Sequence, residues 1–314
     1  MYLSLWASQD RENRVTIQIG LALSGGGARG IAHVGVLQVL EEAQIPIHVL
    51  AGTSMGGIVA AAYAAGHSPA EIEQLFRSLR LLDIAQRDRT GLGLLGQGKI
   101  AGRLREALGG DLTFDQLELP LALVAVDLET GEEVVIREGL VVEGLLATSA
   151  VPVVFSPARW QGRLLVDGGV LNNVPFDVAR RMGADRVIAV HTMRDLSGEI
   201  GTESPPAGSG AEAIVRMALR RAPWSSIIEV AERSSGITSR RLVEQRMRES
   251  PPDLMIEVKL KGVGLFDLDQ VDMGIKAGKK AARQRLPELL DLCDTSLPKR
   301  ITHWWRKLRQ RLPG

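Results

Sequence analysis

The sequence predicts a three-layer α/β/α fold built on a mainly parallel central sheet, and three observations lead there. Apolar runs of strand length alternate with helical patterns, which is the rhythm of βαβ units. The 314 residues are enough to bury the core that such a sheet requires. Glycine-rich turns stand where the first two apolar runs end, at 24–30 and 52–56.

Taken in order, residues 16–23 read as a strand. Residues 31–42 follow as a helix with Ile31, Val34, Leu37 and Leu40 on one face. A second strand at 47–51 leads through Gly52-Thr53-Ser54 into a helix of small residues, 55–65, and 69–79 continues as helix. Further strands are predicted at 121–126, 133–137, 164–166 and 186–190, with helices at 141–148 and 176–182. Two segments interrupt the rhythm. Residues 90–102 are glycine-rich yet carry Leu92, Leu94, Leu95 and Ile100, and are expected to form a greasy loop bordering an apolar cleft. Residues 197–210, rich in Gly, Ser and Pro, read as a flexible connection. Helical patterns then run over 211–247, a short strand over 254–258 and a last helix over 273–292.

Composition narrows the classes. Hydrophobic residues at 45% and charged residues at 24% exclude wholesale disorder, and 38 basic against 37 acidic side chains give no reason to expect nucleic acid as a partner. The balance hides an asymmetry, because residues 298–314 hold six basic side chains and no acid, leaving an acidic body. A lone cysteine, Cys293, excludes an internal disulfide framework and reads as a structural thiol. Residues 1–14 mix Asp10, Arg11, Glu12 and Asn13 and lack the apolar core of a signal peptide. The most apolar run, 58–65, is too short to span a membrane. The expected organisation is an extension at 1–15, a domain at 16–296 with its motifs within 19–190 and a helical part at 211–296, and a basic tail at 297–314.

Three motifs carry chemistry. Gly52-Thr53-Ser54-Met55-Gly56 fits G-x-S-x-G, with a strand before it and a helix after it. A sharp turn there exposes the serine hydroxyl beside the positive end of the helix, which favours an alkoxide or oxyanion. The competing reading is a turn in which Ser54 merely caps the helix. Ser24-Gly25-Gly26-Gly27-Ala28-Arg29-Gly30 offers converging backbone N–H groups. Its glycines also satisfy G-x-G-x-x-G, but the second strand ends in Gly-Thr-Ser rather than in the acid a dinucleotide ribose needs, so the loop reads better as an oxyanion hole supplied by Gly26, Gly27 and their neighbours. Arg29 either adds charge near an anionic substrate or is a solvated loop residue. Val166-Asp167-Gly168-Gly169 places a carboxylate at a strand end, either as a base for the serine or as an Asx-type turn.

These motifs, in this order, resemble the patatin-like phospholipases, with their glycine-rich oxyanion loop, G-x-S-x-G serine and D-G-G aspartate. Leu119-Pro120-Leu121 with Asp127, Thr148-Ser149-Ala150-Val151-Pro152 and Asn172-Asn173-Val174-Pro175 resemble further blocks of that family, and the compact layout is similar to its bacterial members. The resemblance implies a lipid acyl-ester hydrolase with a Ser54–Asp167 dyad. The backbone of Gly25, Gly26, Gly27, Ala28 and Arg29 would hold the oxyanion, Gly30, Gly52, Gly56, Gly168 and Gly169 would support the motifs, and no metal or cofactor is called for. Two alternatives stand beside it: a Ser54–Asp167–His191 triad, which satisfies the order Ser, acid, His, and a non-catalytic membrane scaffold that keeps the fold. His33, early in the first helix, reads as a structural residue that orders the glycine loop. In the tail, Leu297, Ile301, Trp304, Trp305, Leu308 and Leu312 recur at helical spacing opposite the basic side chains, a pattern suited to a membrane surface. The expected location is cytoplasmic, with a peripheral hold on the inner membrane surface.

Overall fold

The computed structural model describes residues 17–80, 86–194 and 225–293. The N-terminal extension, the connection at 197–210, the first part of the 211–247 helical pattern and the basic tail lie outside the described residues. Strand β1 (Ile19–Leu23) passes through a 3-10 turn (Gly27–Ile31) into helix α1 (Ala32–Glu42). Strand β2 (Val49–Thr53), helix α2 (Met55–Ala64), helix α3 (Pro69–Ser78) and helix α4 (Gly98–Ala107) follow. Next come β3 (Leu121–Asp127), β4 (Glu133–Ile136), α5 (Val141–Thr148), β5 (Ala158–Trp160), β6 (Arg163–Asp167), α6 (Phe176–Arg181) and β7 (Arg186–Arg194). The described chain ends in α7 (Ser225–Glu249), β8 (Leu254–Leu260), α8 (Val271–Gln284) and α9 (Leu286–Cys293).

All eight strands join one sheet. The pairs β8–β7, β7–β1, β1–β2 and β2–β3 are parallel, whereas β4, β5 and β6 attach antiparallel at the β3 end. The central strands β1, β2 and β3 are buried along their whole length, as strands covered on both faces must be. Their side chains alternate between two cores. Leu21, Leu23, Leu50, Leu123 and Ile188 pack on one side with α1 to α3, α5 and α8. Ala22, Ala51, Ala122, Val124 and Ala189 pack on the other with Phe176, Val178 and Val243 of α6 and α7. The sandwich of helix, sheet and helix that the apolar rhythm predicts is the fold that forms.

The register along β3 positions the site. Parallel strand β2 ends where Thr53 faces Val124, and antiparallel β6 ends where Asp167 faces Ala125. Strand β4 pairs with Leu123 to Val126 and so takes the other edge of β3. Strands β2 and β6 therefore run towards each other along one edge and meet end to end. Ser54 and Asp167 stand at that junction.

Three expectations change. The greasy loop is partly helical: its end, from Gly98, starts α4, while Leu95 forms isolated bridges with Arg87 and Phe155. A short strand, β5, pairs with β6 ahead of the aspartate. The last helix is two helices, because Pro287 supplies no N–H to the turn before it and its ring crowds that turn, so α8 ends at Gln284.

Candidate active site

The turn after β2 is a strained one. Ser54 has φ 52° and ψ −126°, a conformation that side-chain-bearing residues seldom adopt and that persists only where neighbours enforce it. The enforcement is visible. The Ser54 N–H donates to Thr148 Oγ1 at 3.0 Å, and that hydroxyl donates on to the Val124 carbonyl. Thr53 Oγ1 donates to the Asn172 carbonyl at 2.8 Å. Gly56 packs its Cα against the Leu23 and Ser24 carbonyls, where any side chain would collide with backbone. Gly52 and Gly30 lie just as close to Gly57 and Met55. The Ser54 side chain makes no capping bond to α2, so the reading of this serine as a helix cap is not realised. Its hydroxyl instead sits at the positive end of that helix.

Asp167 is buried at the facing strand end. One carboxylate oxygen, Oδ1, accepts the Gly169 N–H at 2.7 Å, so the Asx-type turn does form. Gly168, between them, lies against the Val124 carbonyl. Burial pushes the Asp167 carboxyl up to about 6, against hydrogen bonding from the Ser54 hydroxyl and the Gly169 N–H, which favours the ionised form.

The glycine loop wraps the same point from the β1 side. Gly25 donates its N–H to the Asn173 carbonyl at 3.1 Å and Ala28 to the Leu265 carbonyl at 2.9 Å, while Arg29 donates back to Gly26 at 3.3 Å. The expected set of five oxyanion donors therefore narrows. Of those five, Gly26 and Gly27 are the two whose N–H groups meet no acceptor among the described residues, and both line the chamber that holds Ser54. Gly27 has φ +56°, and a Cβ there would strike Leu265. Thr192 braces the loop, donating its N–H to Ser24 Oγ at 2.9 Å and its hydroxyl to the Gly25 carbonyl at 3.1 Å. His33 is fully buried and donates from Nε2 to the Ser24 carbonyl at 2.8 Å, and burial holds its pKa down at about 4, so it orders the loop as a neutral ring.

Two cavities meet at Ser54. One, of about 220 Å³, is walled by carbon: Ile58 and Ala62 of α2, Ile72, Leu75 and Phe76 of α3, and Ile100 and Leu104 of α4 line it. The other, of about 200 Å³, lies under α7 and is bordered by Asp167, Asn173, His191, Thr192 and Arg240. Among the described residues no cluster of His, Cys, Asp and Glu could hold a metal ion.

Half of the chain, residues 21–180, matches the family model described as patatin-like phospholipase, and the glycine loop, Ser54 and Asp167 all fall inside the match. The chain belongs to the patatin-like phospholipase family. An uncharacterized NTE family protein of Mycobacterium tuberculosis is 36% identical over 176 residues, 55% of this chain and 48% of that protein. A second protein so described, from the same organism, is 30% identical over 280 residues, 87% of this chain and 47% of its own length. The patatin-like phospholipase domain-containing protein 6 of Mus musculus is 30% identical over 227 residues, 68% of this chain and 16% of that protein. The chain thus spans about half the length of its mycobacterial relatives. Among solved structures, VipD from Legionella pneumophila aligns with a TM-score of 0.56 at 16% identity, over 88% of this chain and 67% of that one, which shows the shared fold.

Within this patatin-like site, two further expectations shift. Arg29 is neither solvated nor free for substrate: it is buried, pairs with Glu232 of α7 at 2.9 Å and donates to the Val263 carbonyl at 3.0 Å. Leu94 and Leu95 line neither cavity, whereas Ile100 and Leu104 do. His191 borders the second cavity, yet among the described residues no hydrogen bond joins it to Ser54 or Asp167. Thr148, Thr53 and Thr192 are the positioning residues that the motifs did not single out. Thr148 and Thr53 signal themselves as buried threonines that close an apolar segment, whereas Thr192 lies within β7 just after His191.

Proposed function

We propose that this chain is a serine acyl hydrolase that cleaves carboxylic esters of phospholipids or lysophospholipids through Ser54 and Asp167. The observation that carries the reading is the pairing of a strained, uncapped Ser54 with a buried Asp167 at the mouth of an apolar cavity. In the reaction, Ser54 Oγ attacks the ester carbonyl carbon as its proton passes to the Asp167 carboxylate. The Gly26 and Gly27 N–H groups hold the oxyanion, helped by the N-terminus of α2. Collapse breaks the bond to the alcohol, which leaves with the proton from Asp167. Water, deprotonated by the same carboxylate, then attacks the acyl-enzyme and frees the fatty acid and Ser54. Family membership supports this chemistry, as does a cavity whose lining has no charge to offer beyond its rim residues Arg103 and Glu106.

The test is fluorophosphonate labelling read by intact mass. One adduct on the wild type and on His191→Ala, with none on Ser54→Ala, supports the dyad. Loss in His191→Ala moves the base to a triad, and a wild type that never labels leaves the scaffold reading in its place.

The carbon-walled cavity is the proposed seat of the acyl chain. Ile100→Trp fills it and is expected to move the preferred acyl length shorter, with kcat/KM on long chains falling about tenfold. Leu94→Ser with Leu95→Ser is the matched control, expected to leave the profile in place. A chain-length profile that follows the control pair and ignores Ile100 would refute the assignment.

Membrane adsorption through residues 297–314 belongs to the same proposal. It is supported by the Trp and basic pattern of that segment. Truncation after Ser296 is expected to cut binding to anionic vesicles at low salt, and vesicle co-sedimentation that is equal with and without the tail speaks against it.

A further inference from the structure

We infer that Arg240, Ser239 and His191 form a binding subsite for the phosphate of the substrate's head group, so that this enzyme selects phosphate-bearing esters over neutral ones. The inference rests on the proposed reading of Ser54 as the nucleophile and specifies what occupies the side of the site away from the acyl chain. An ester carbonyl held at Ser54 has two arms, and two cavities open from Ser54. The carbon-walled cavity suits the acyl arm. The alcohol arm is left with the cavity under α7.

That second cavity is equipped for an anion. Helix α7 presents a stripe of small residues to it (Ala231, Ser235, Gly236 and Ser239), which opens the space between the helix and the end of β7. Ser239 is only 7% exposed, and its hydroxyl has no partner, a costly state that a ligand acceptor relieves. His191, 8% exposed, meets no hydrogen-bonding partner among the described residues either. Arg240 stands one residue on from Ser239. It lines the same cavity as His191, whose ring is kept neutral by burial first and by the Arg240 charge second. Outside the cavity Arg240 pairs with Glu244 at 3.2 Å, an exposed contact of the kind that exchanges readily for a better one.

The acceptors nearby do not compete for the role. Glu232 is taken up by Arg29 at 2.9 Å, and Asp167 by Gly169 and Ser54. What remains is a donor set of guanidinium, hydroxyl and imidazole around one cation, and its natural ligand is a phosphate oxygen. In a glycerophospholipid that phosphate sits on the alcohol arm, the one this cavity must accept.

The experiment is a discrimination ratio. The kcat/KM for a lysophosphatidylglycerol micelle is divided by that for the monoacylglycerol of the same chain, in wild type, Arg240→Ala, Arg240→Lys and Ser239→Ala. Arg240→Ala is expected to lower the ratio on the order of tenfold, chiefly through KM on the phospholipid, with Arg240→Lys recovering part of it. Glycerol phosphate is expected to inhibit the wild type competitively and Arg240→Ala more weakly. Equal losses on both substrates would mean that Arg240 only holds α7 in place, and an unchanged ratio would mean that no phosphate reaches it. Either result overturns the subsite. A wild type that hydrolyses neither ester fails differently, because it removes the underlying hydrolase reading.

Discussion

Ser54→Ala is expected to lower kcat/KM for lipid esters by ~10⁴-fold or more, and Asp167→Asn by nearly as much. In the proposed mechanism the two side chains act as one unit, so the double variant is expected to be no worse than Ser54→Ala. The size follows from what each supplies. Alanine at 54 removes the proposed nucleophile and leaves only the proposed oxyanion donors and binding, since the backbone there is held by Thr148 rather than by the serine side chain. Asparagine at 167 keeps the turn, because its side-chain oxygen still accepts the Gly169 N–H, but it cannot take a proton. Fatty acid release from micelles, followed with the folded state checked by circular dichroism, measures both. An Asp167→Asn enzyme within tenfold of wild type would mean that another base serves Ser54, and His191 on β7 would be the one to examine.

How much of this was legible follows from the distance over which each feature is encoded. The nucleophile turn is local: an apolar strand, two glycines around a serine, and a helix of small residues lie within one stretch, and all of it forms as read. The partnership of Ser54 with Asp167 is not local, since it depends on β2 and β6 meeting head to head along β3, a register that no stretch of sequence displays. Family resemblance supplied that link where periodicity could not. Helix α4 escaped notice because Gln97 gives it no side-chain cap and Gly98 and Gly102 weaken it, and it stands because Leu104 and Leu108 bury their side chains. Helix α7 was legible as helix, within the pattern over 211–247, but its role was not. Val243 joins the core while Ser235, Gly236 and Ser239 line a cavity, and the sequence pattern does not tell those two environments apart. Arg29 read either as a charge for an anionic substrate or as a solvated loop residue because its partner, Glu232, lies far along the chain.

The same aspartate links activity to stability with opposite sign. Its carboxyl titrates at about 6 in the folded protein, raised by burial from an ordinary value of 3.8. Between those two values the unfolded chain has released the proton while the folded chain retains it, so the folded state binds more protons and stability falls as pH rises. The loss is complete above the folded value and amounts to roughly 3 kcal/mol, the cost of ionising a carboxyl that its surroundings only partly satisfy. Below the ordinary value both states carry the proton and no loss remains. Asp167→Asn removes the titration and keeps the bond to Gly169. The variant is therefore expected to melt several degrees above wild type at pH 8 and to match it near pH 4. Activity should run the other way: kcat/KM in wild type rises about tenfold per pH unit below 6 and levels above it, as the base ionises. His33 and His191, both held down at about 4 by burial first, stay neutral across that limb and do not produce it. Thermal unfolding of both proteins at the two pH values, set beside the wild-type rate profile, tests the linkage in one comparison. An asparagine variant less stable than wild type at pH 8 would mean that the buried carboxylate is fully compensated. The limb near 6 would then need another owner. If both halves hold, the fold carries an ionised Asp167 at a net loss because the reaction requires it there.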